Sequence, residues 1–558
     1  MSEKKATVSS HSLNIQIIAT CLLSFFFLSG YYMPGFGQSF NFVFTDHIFY
    51  GKLAAAMAKT GAELNAYDLY SQFEKGQIKF APYHFLELWM TALFSECFGI
   101  STVQCFQLLV LPVFFGLSYA GLYSVWENKV TTFRPWHFIF VAFALIFTGL
   151  DSRWLGEILN KKIGLPYHIL GIGNGKILPL LPFFLLASAL VIRKKLMSGL
   201  MVLLLLSFLS VSALTFAVAF GILFVYHCII SHQINKKDAY ILFIISTLLV
   251  CFFGGFYWFA GNTQADSSDT FALETGGKFR LRFLKETLFQ FGVFSLAYLN
   301  IAFLAIWLIF RKKLSVNFWK YPEAIYLLSL AVAFVSGIGL WAFLPSLFDA
   351  FQFFWIPRTL ILPLLVILAF QIVFLMKEKW FQTGFALMGI LIFFNGITEH
   401  KLFQKNAHPS INTFLFNRLQ QELHSDSIQF FGLLYHQKTT SVADHPFALR
   451  YFGQEPTMVN SHYFSFPLSI LDDTVLLNLK PLQRVLSQNR LLIEKTRSIK
   501  NGENLSDNQI VARVVMQMKM PFVFCEDRNA MITELKSQVL DSLENPDNHN
   551  IIYFLKAD

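Results

Sequence analysis

Asp46 follows the first apolar run of the chain in Phe44-Thr45-Asp46-His47-Ile48-Phe49-Tyr50, within a polar, tyrosine-rich segment between Tyr31 and Pro82 that also carries Glu63, Asp68 and Glu74. A carboxylate placed there can take the proton of an attacking hydroxyl. It can also cap a helix, since Phe49, Leu53 and Met57 recur at helical spacing with Lys52 and Lys59 elsewhere on the wheel. Such a helix would lie in a membrane interface with its apolar face down. His47 points to a different side of that helix from Asp46 and takes a supporting or structural role. Tyr50 joins His47 as a candidate substrate-binding side chain.

Three more places carry chemistry. His84 and Glu87 stand at i and i+3 in Pro82-Tyr83-His84-Phe85-Leu86-Glu87, on one face of a helix. That spacing suits an acid–base pair or two ligands of a cation, and equally a histidine and a carboxylate that satisfy one another. Arg358, in Phe353-Phe354-Trp355-Ile356-Pro357-Arg358, enters a span directly from an aromatic loop. A planar guanidinium there can grip a phosphate through two hydrogen bonds, or anchor the chain among headgroups. Lys176 sits in Gly171-Ile172-Gly173-Asn174-Gly175-Lys176, where successive amides can form a concavity facing an anion. The glycine spacing is not that of a P-loop, and an ordinary turn at a membrane boundary explains it as well.

The elements that must hold these residues are membrane spans. The 558 residues are 55% hydrophobic and 14% charged, with a mean hydropathy of +0.50, the composition of a polytopic membrane protein. A span needs about 20 apolar residues. Candidate runs are 14–32, 83–100, 102–126, 136–150, 178–192, 199–231, 239–260, 292–310, 322–343, 357–376 and 381–398. Because 199–231 reads as one long span or two short ones, about 11–12 crossings are expected. The segment 261–291 is expected as a long outer loop able to fold over a ligand.

The net charge of +9 does not point to nucleic acid. Arg193-Lys194-Lys195, Lys236-Lys237, Arg311-Lys312-Lys313, Lys377 and Lys379 all flank apolar runs, the bias of cytoplasmic membrane ends. Counted from residues 311–313 and 377–379, this bias puts 261–291, 344–358 and 400–558 outside. Counted from Lys4-Lys5, it puts 33–82 outside. The two counts conflict in parity if 199–231 is two short spans. A single span restores parity but strands Arg193–Lys195 on the outer side, and a run between 83 and 150 that re-enters without crossing is the alternative. The six cysteines form no disulfide framework.

Beyond Glu399 the sequence turns polar, with short apolar runs at 428–435, 521–525 and 551–555 that read as strands. Helical periodicity recurs at 507–518 and 528–543. The expected fold class is therefore mainly α, a polytopic transmembrane helical bundle with a C-terminal extracytoplasmic α/β domain. Its domains would be a membrane module at 1–399, with an outer loop at 33–82, and a soluble domain at 400–558.

A first span, an acidic residue just past it, a juxtamembrane helix and a proline-aromatic start to the second span, Ala81-Pro82-Tyr83-His84-Phe85-Leu86-Glu87-Leu88-Trp89, together resemble the GT-C superfamily of polytopic glycosyltransferases. The motif occupies residues 44–89. The resemblance implies an inverting glycosyltransferase of a bacterial inner membrane. It would move a sugar from a polyprenyl phosphate to a lipid, glycan or protein acceptor on the outer face, in contact with membrane lipid and without nucleic acid. It also implies Asp46 as catalytic base, and His47, Tyr50, His84, Glu87, Lys176 and Arg358 as substrate contacts. Members often pair acidic residues in this loop, whereas here His47 follows Asp46. No cofactor is read from the residues, and a divalent cation stays an open alternative. A polysaccharide polymerase or ligase using a lipid-linked glycan, and a transporter or flippase, are the competing classes.

Overall fold

The computed structural model describes residues 86–100, 102–127, 177–210, 213–261, 275–310, 322–344, 351–374, 379–399, 432–435, 458–460, 507–517, 522–525, 533–544 and 551–556, together with a few scattered residues, Tyr50 among them. In chain order the helices are α1 (Leu86–Phe98), α2 (Thr102–Cys105), which runs through a π-turn at Phe106–Val110 into α3 (Leu111–Glu127), α4 (Leu181–Ile192) and α5 (Leu196–Leu209). There follow α6 (Phe216–Val225), ending in a π-turn at Tyr226–Ile230, α7 (Lys236–Gly261), α8 (Gly276–Ala297), α9 (Leu299–Phe310), α10 (Pro322–Phe343), α11 (Gln352–Phe374) and α12 (Lys379–Glu399). Beyond the bundle come β1 (Gly432–Tyr435), β2 (Met458–Asn460), α13 (Asp507–Gln517), β3 (Phe522–Cys525), a 3-10 turn at Thr533–Gln538, β4 (Val539–Glu544) and β5 (Ile551–Leu555). Two compact units result, one of residues 1–27, 111–256 and 266–405, the other of 28–110, 257–265 and 406–558.

The protein is a multi-pass helical membrane protein. Among the described residues four helices are long and apolar enough to cross a bilayer, at Phe106–Glu127, Lys236–Gly255, Glu323–Phe343 and Gln352–Phe374, and the bent pair of α8 and α9 is either a broken span, which makes a fifth, or a re-entrant loop. Runs 14–32 and 136–150 fall almost wholly outside the described residues. Where the sequence leaves 199–231 open, the chain forms two short helices, α5 ending at Leu209 and α6 beginning at Phe216.

Side chains fix the direction of the helices in the first unit. Arg193 at the end of α4 donates to the Ser124 carbonyl at 2.7 and 3.1 Å and to Glu127 at 2.8 Å, so α3 and α4 end together. Gln371, near the end of α11, donates to the Val125 and Trp126 carbonyls, both at 2.9 Å. These partners satisfy carbonyls that the last turn of α3 leaves without helical donors. Ser188 and Tyr326 share a buried hydrogen bond of 2.7 Å, which brings the start of α10 to the same end of the bundle. Gln382 of α12 donates to Val373 at 3.2 Å, so α12 starts there too and runs back antiparallel to α11.

Small residues let the backbones close. A Cβ at Gly121 would stand 2.7 Å from Leu185 Cβ, and one at Gly199 would stand 2.7 Å from Val191 Cγ2, which sets α3 against α4 and folds α4 back on α5. The hairpin turn between α4 and α5 holds Arg193, Lys194 and Lys195, with Lys194 at φ 60°. Chain direction then puts Lys236 and Lys237, at the start of α7, at this same end, because Phe208 near the end of α5 stacks on Phe253 well along α7 at 4.9 Å. Two short helices, not one span, carry the chain away and back between residues 195 and 236, so the clusters at 193–195 and 236–237 share one end. The count from Lys4-Lys5 runs through residues outside those described.

The expected loop at 261–291 and span at 292–310 are corrected. Residues 276–297 form helix α8, which runs antiparallel to α10: Phe279 meets Phe343 at 6.3 Å and Phe291 meets Phe334 at 5.8 Å. The chain then bends by 98° into α9. Hydropathy misled here because Lys278, Arg280, Arg282, Lys285 and Glu286 lie in one stretch, although Leu281, Leu284 and Leu288 form an exposed apolar stripe between them.

The C-terminal strands form one mixed sheet in the order β2-β1-β3-β5-β4. β1 pairs in parallel with β2 and β3, while β5 is antiparallel to both β3 and β4. Helix α13 and strands β1, β3 and β5 match the sequence pattern. Of the helix expected at 528–543, the described part from Thr533 is not α-helical: a 3-10 turn gives way at Val539 to β4, which bulges between Val539 and Asp541 against β5. Strand pairing here overrides a weak local helical preference.

Candidate functional site

Arg358 lies in the second turn of α11, because that helix begins at Gln352, five residues before the expected start of the span. Its neighbour Pro357 has no N–H, so the Phe353 carbonyl lacks the helical donor it would receive from position 357. That carbonyl faces Gly337 of α10, where an added Cβ would overlap it and would sit 2.9 Å from Phe354 Cα. α10 and α11 are thus locked backbone to backbone beside Arg358, and Trp341 packs edge-on against Phe354 at 5.8 Å.

From this fixed position the half-buried Arg358 Nη1 donates to Gln290 Oε1 at 2.7 Å, and Gln290 Nε2 donates to Glu286 Oε1 at 2.7 Å. Glu286 and Gln290 are buried. One turn before Glu286 on α8, Arg282 lies 4.2 Å over the Trp341 ring. Arg282, Glu286 and Gln290 are each four residues apart and therefore share one helix face. Phe334, opposite Phe291, is roughly 13 Å along α10 from Phe343, on a helix roughly 33 Å long at ~1.5 Å per residue. The polar chain therefore sits well inside the bundle. Ionisable groups at that depth are costly unless paired, and are kept where they serve a function.

The other expected site residues divide sharply. Asp46, His47, His84 and Lys176 lie outside the described residues. Tyr50 is helical and 2% exposed, with its ring tilted against Phe106 at 5.5 Å. Phe106 opens the π-turn between α2 and α3, a local widening often kept at functional positions. Glu87, in the first turn of α1, is 3% exposed, and its carbonyl accepts from Thr91 Oγ1 at 2.6 Å. Tyr50, Glu87 and Phe106 belong to the second compact unit and Arg358 to the first. Among the described residues no three His, Cys, Asp or Glu side chains gather as a metal site would require.

Sequence reasoning missed Arg282, Glu286 and Gln290, having placed them in a loop. The signal was present: their spacing of four, set against Leu281, Leu284, Leu288 and Phe291 on the other faces, is that of a helix with a polar seam.

No family model matches the chain, and no curated protein matches it. Among solved structures it is similar to an oligosaccharyltransferase of Archaeoglobus fulgidus in the apo form, at 10% identity and a TM-score of 0.44, over 91% of this chain and 69% of that one. Neither a shared fold nor a shared activity follows from a likeness of that size.

Proposed function

We propose that the protein is an integral membrane glycosyltransferase of GT-C type that moves a sugar, with inversion, from a polyprenyl-phosphate donor to a lipid, glycan or protein acceptor at the outer face of a bacterial inner membrane. The observation that supports this reading is the guanidinium of Arg358, held inside a bundle of spanning helices by a directional polar chain. It is a cation at a depth that a lipid-linked phosphate can reach and free inorganic ions rarely do. Asp46 takes the acceptor proton. Arg358 balances the charge that gathers on the leaving phosphate as the sugar–oxygen bond breaks. His47, Tyr50, His84, Glu87 and Lys176 contact the substrates, and the part after residue 399 stands on the outer side, where it helps receive the acceptor.

The test is transfer from a radiolabelled polyprenyl-phosphate sugar by the protein in nanodiscs. Asp46→Asn, which keeps size and capping ability, is expected to lower turnover by about 10²–10⁴-fold with folding unchanged; full turnover in that variant rejects the reading. A transporter or flippase is the second reading, favoured by polar groups deep in the bundle and by the 98° break between α8 and α9. It predicts movement of the labelled lipid between leaflets without any new glycosidic bond.

A further inference from the structure

We infer that Gln290 and Glu286 are positioning residues that aim and charge-balance Arg358 for a lipid-linked phosphate, an inference that rests on the donor-binding role proposed for Arg358. The geometry is directional. Gln290 accepts from a guanidinium and donates to a carboxylate, each at 2.7 Å. Turning the amide over would set donor against donor and acceptor against acceptor, so only one orientation of Gln290 satisfies both neighbours. Arg358 is on α11 and the other two are on α8. The amide is therefore a strut between two helices and not a contact within one. The Gly337–Phe353 contact keeps α11 from sliding along α10, and Arg282 stacked on Trp341 fixes α8 against the same helix. With both backbones held, Gln290 restrains the arginine side chain at its Nη1 end and so sets the plane of the guanidinium fork. Glu286 stabilises the arrangement through the amide without touching Gln290's bond to Arg358.

Binding of a fluorescent polyprenyl phosphate and of the matching polyprenol to the full-length protein in nanodiscs tests this, since the ratio of the two affinities isolates the phosphate contribution. Gln290→Leu is expected to lower that ratio about tenfold, the size of one lost hydrogen bond to a charged group, while polyprenol binding holds. Gln290→Glu should lower it further, because a carboxylate would then neutralise Arg358 directly and repel Glu286. Glu286→Gln, which can still accept from Gln290, should stay near wild type, whereas Glu286→Leu should not. An unchanged ratio in Gln290→Leu, or an equal loss for phosphate and polyprenol, overturns the positioning role and leaves a purely structural one. Should Arg358→Gln itself leave the ratio unchanged, the phosphate-binding reading of Arg358 falls, and the positioning role falls with it. A melting temperature measured for each variant separates misfolding from lost aim.

Discussion

At the scale of single residues, Gln371 and Arg358 show what a long polar side chain is for inside an apolar bundle. Gln371 sends both amide protons to carbonyls of α3. Gln371→Leu keeps the volume and leaves those carbonyls without that donor, at a cost of about 1–3 kcal/mol; thermal unfolding in nanodiscs should show it as a lower melting temperature. Arg358 is partnered through Gln290, and the expected consequence differs. Arg358→Lys keeps the charge but loses the planar fork, so binding of a polyprenyl phosphate should weaken by about 1.5–3 kcal/mol, the size of a hydrogen bond to a charged group. Unchanged donor affinity would reduce Arg358 to an interfacial anchor. The sequence made Arg358 legible as a cation beside an aromatic segment, because tryptophan, proline and arginine announce a membrane boundary. Its depth was hidden, since nothing local says that Phe353, Phe354 and Trp355 are already helical and buried.

At the scale of elements, the contact of Gly337 with the Phe353 carbonyl sets the spacing of α10 and α11. Gly337→Ala forces the helices apart, because the atoms it meets are backbone and cannot rotate away. Overpacking of this kind costs about 1–3 kcal/mol. Because Arg358 follows directly on Pro357, polyprenyl-phosphate binding should fall along with stability. A variant that loses stability and keeps full donor affinity would show that the spacing of α10 and α11 does not govern the arginine. α8 shows why helix reading from sequence has a blind spot. Five charged residues in nine positions lower its hydropathy, so the run was assigned to a loop and the crossing displaced toward α9. In the folded bundle Arg282 stacks on an indole, Glu286 binds an amide, and the exposed leucines flank them. The charges are tolerated because partners from neighbouring helices receive them, and such partners cannot be seen in a window of twenty residues.

At the scale of the molecule, three basic clusters sort to one end by helix direction. Lys194, Lys195, Lys236 and Lys379 all stand where α3, α4 and α11 finish, while α8 begins and α12 finishes at the opposite end. If the basic end faces the cytoplasm, then in a background without native cysteines, Thr275→Cys should react with a membrane-impermeant thiol reagent in intact spheroplasts. Lys194→Cys should react only after lysis. Asn501→Cys, in the polar turn Lys500-Asn501-Gly502, should behave like Thr275→Cys if the C-terminal part is extracytoplasmic. The reverse pattern at Lys194 and Thr275 would invert the whole protein and remove Arg358 from reach of an outer substrate. The bundle's character was legible from composition, and strands β1, β3 and β5 from short apolar runs. The direction of its middle helices was not, because it depends on one helix ending at Leu209 and the next beginning at Phe216 within a continuous apolar sequence.

The closure of α3 also dictates an order of manufacture. Its final carbonyls are met by Arg193, which is 69 residues beyond Ser124, and by Gln371, which is 246 residues beyond Val125. A ribosome delivering the chain in sequence presents the end of α3 long before Gln371 exists. Until α11 arrives, those carbonyls must stay hydrated at the membrane surface or borrow transient partners. The finished bundle is therefore sealed at its basic end by one of its last helices, and a chain stopped before Gln371 would keep that end open to water.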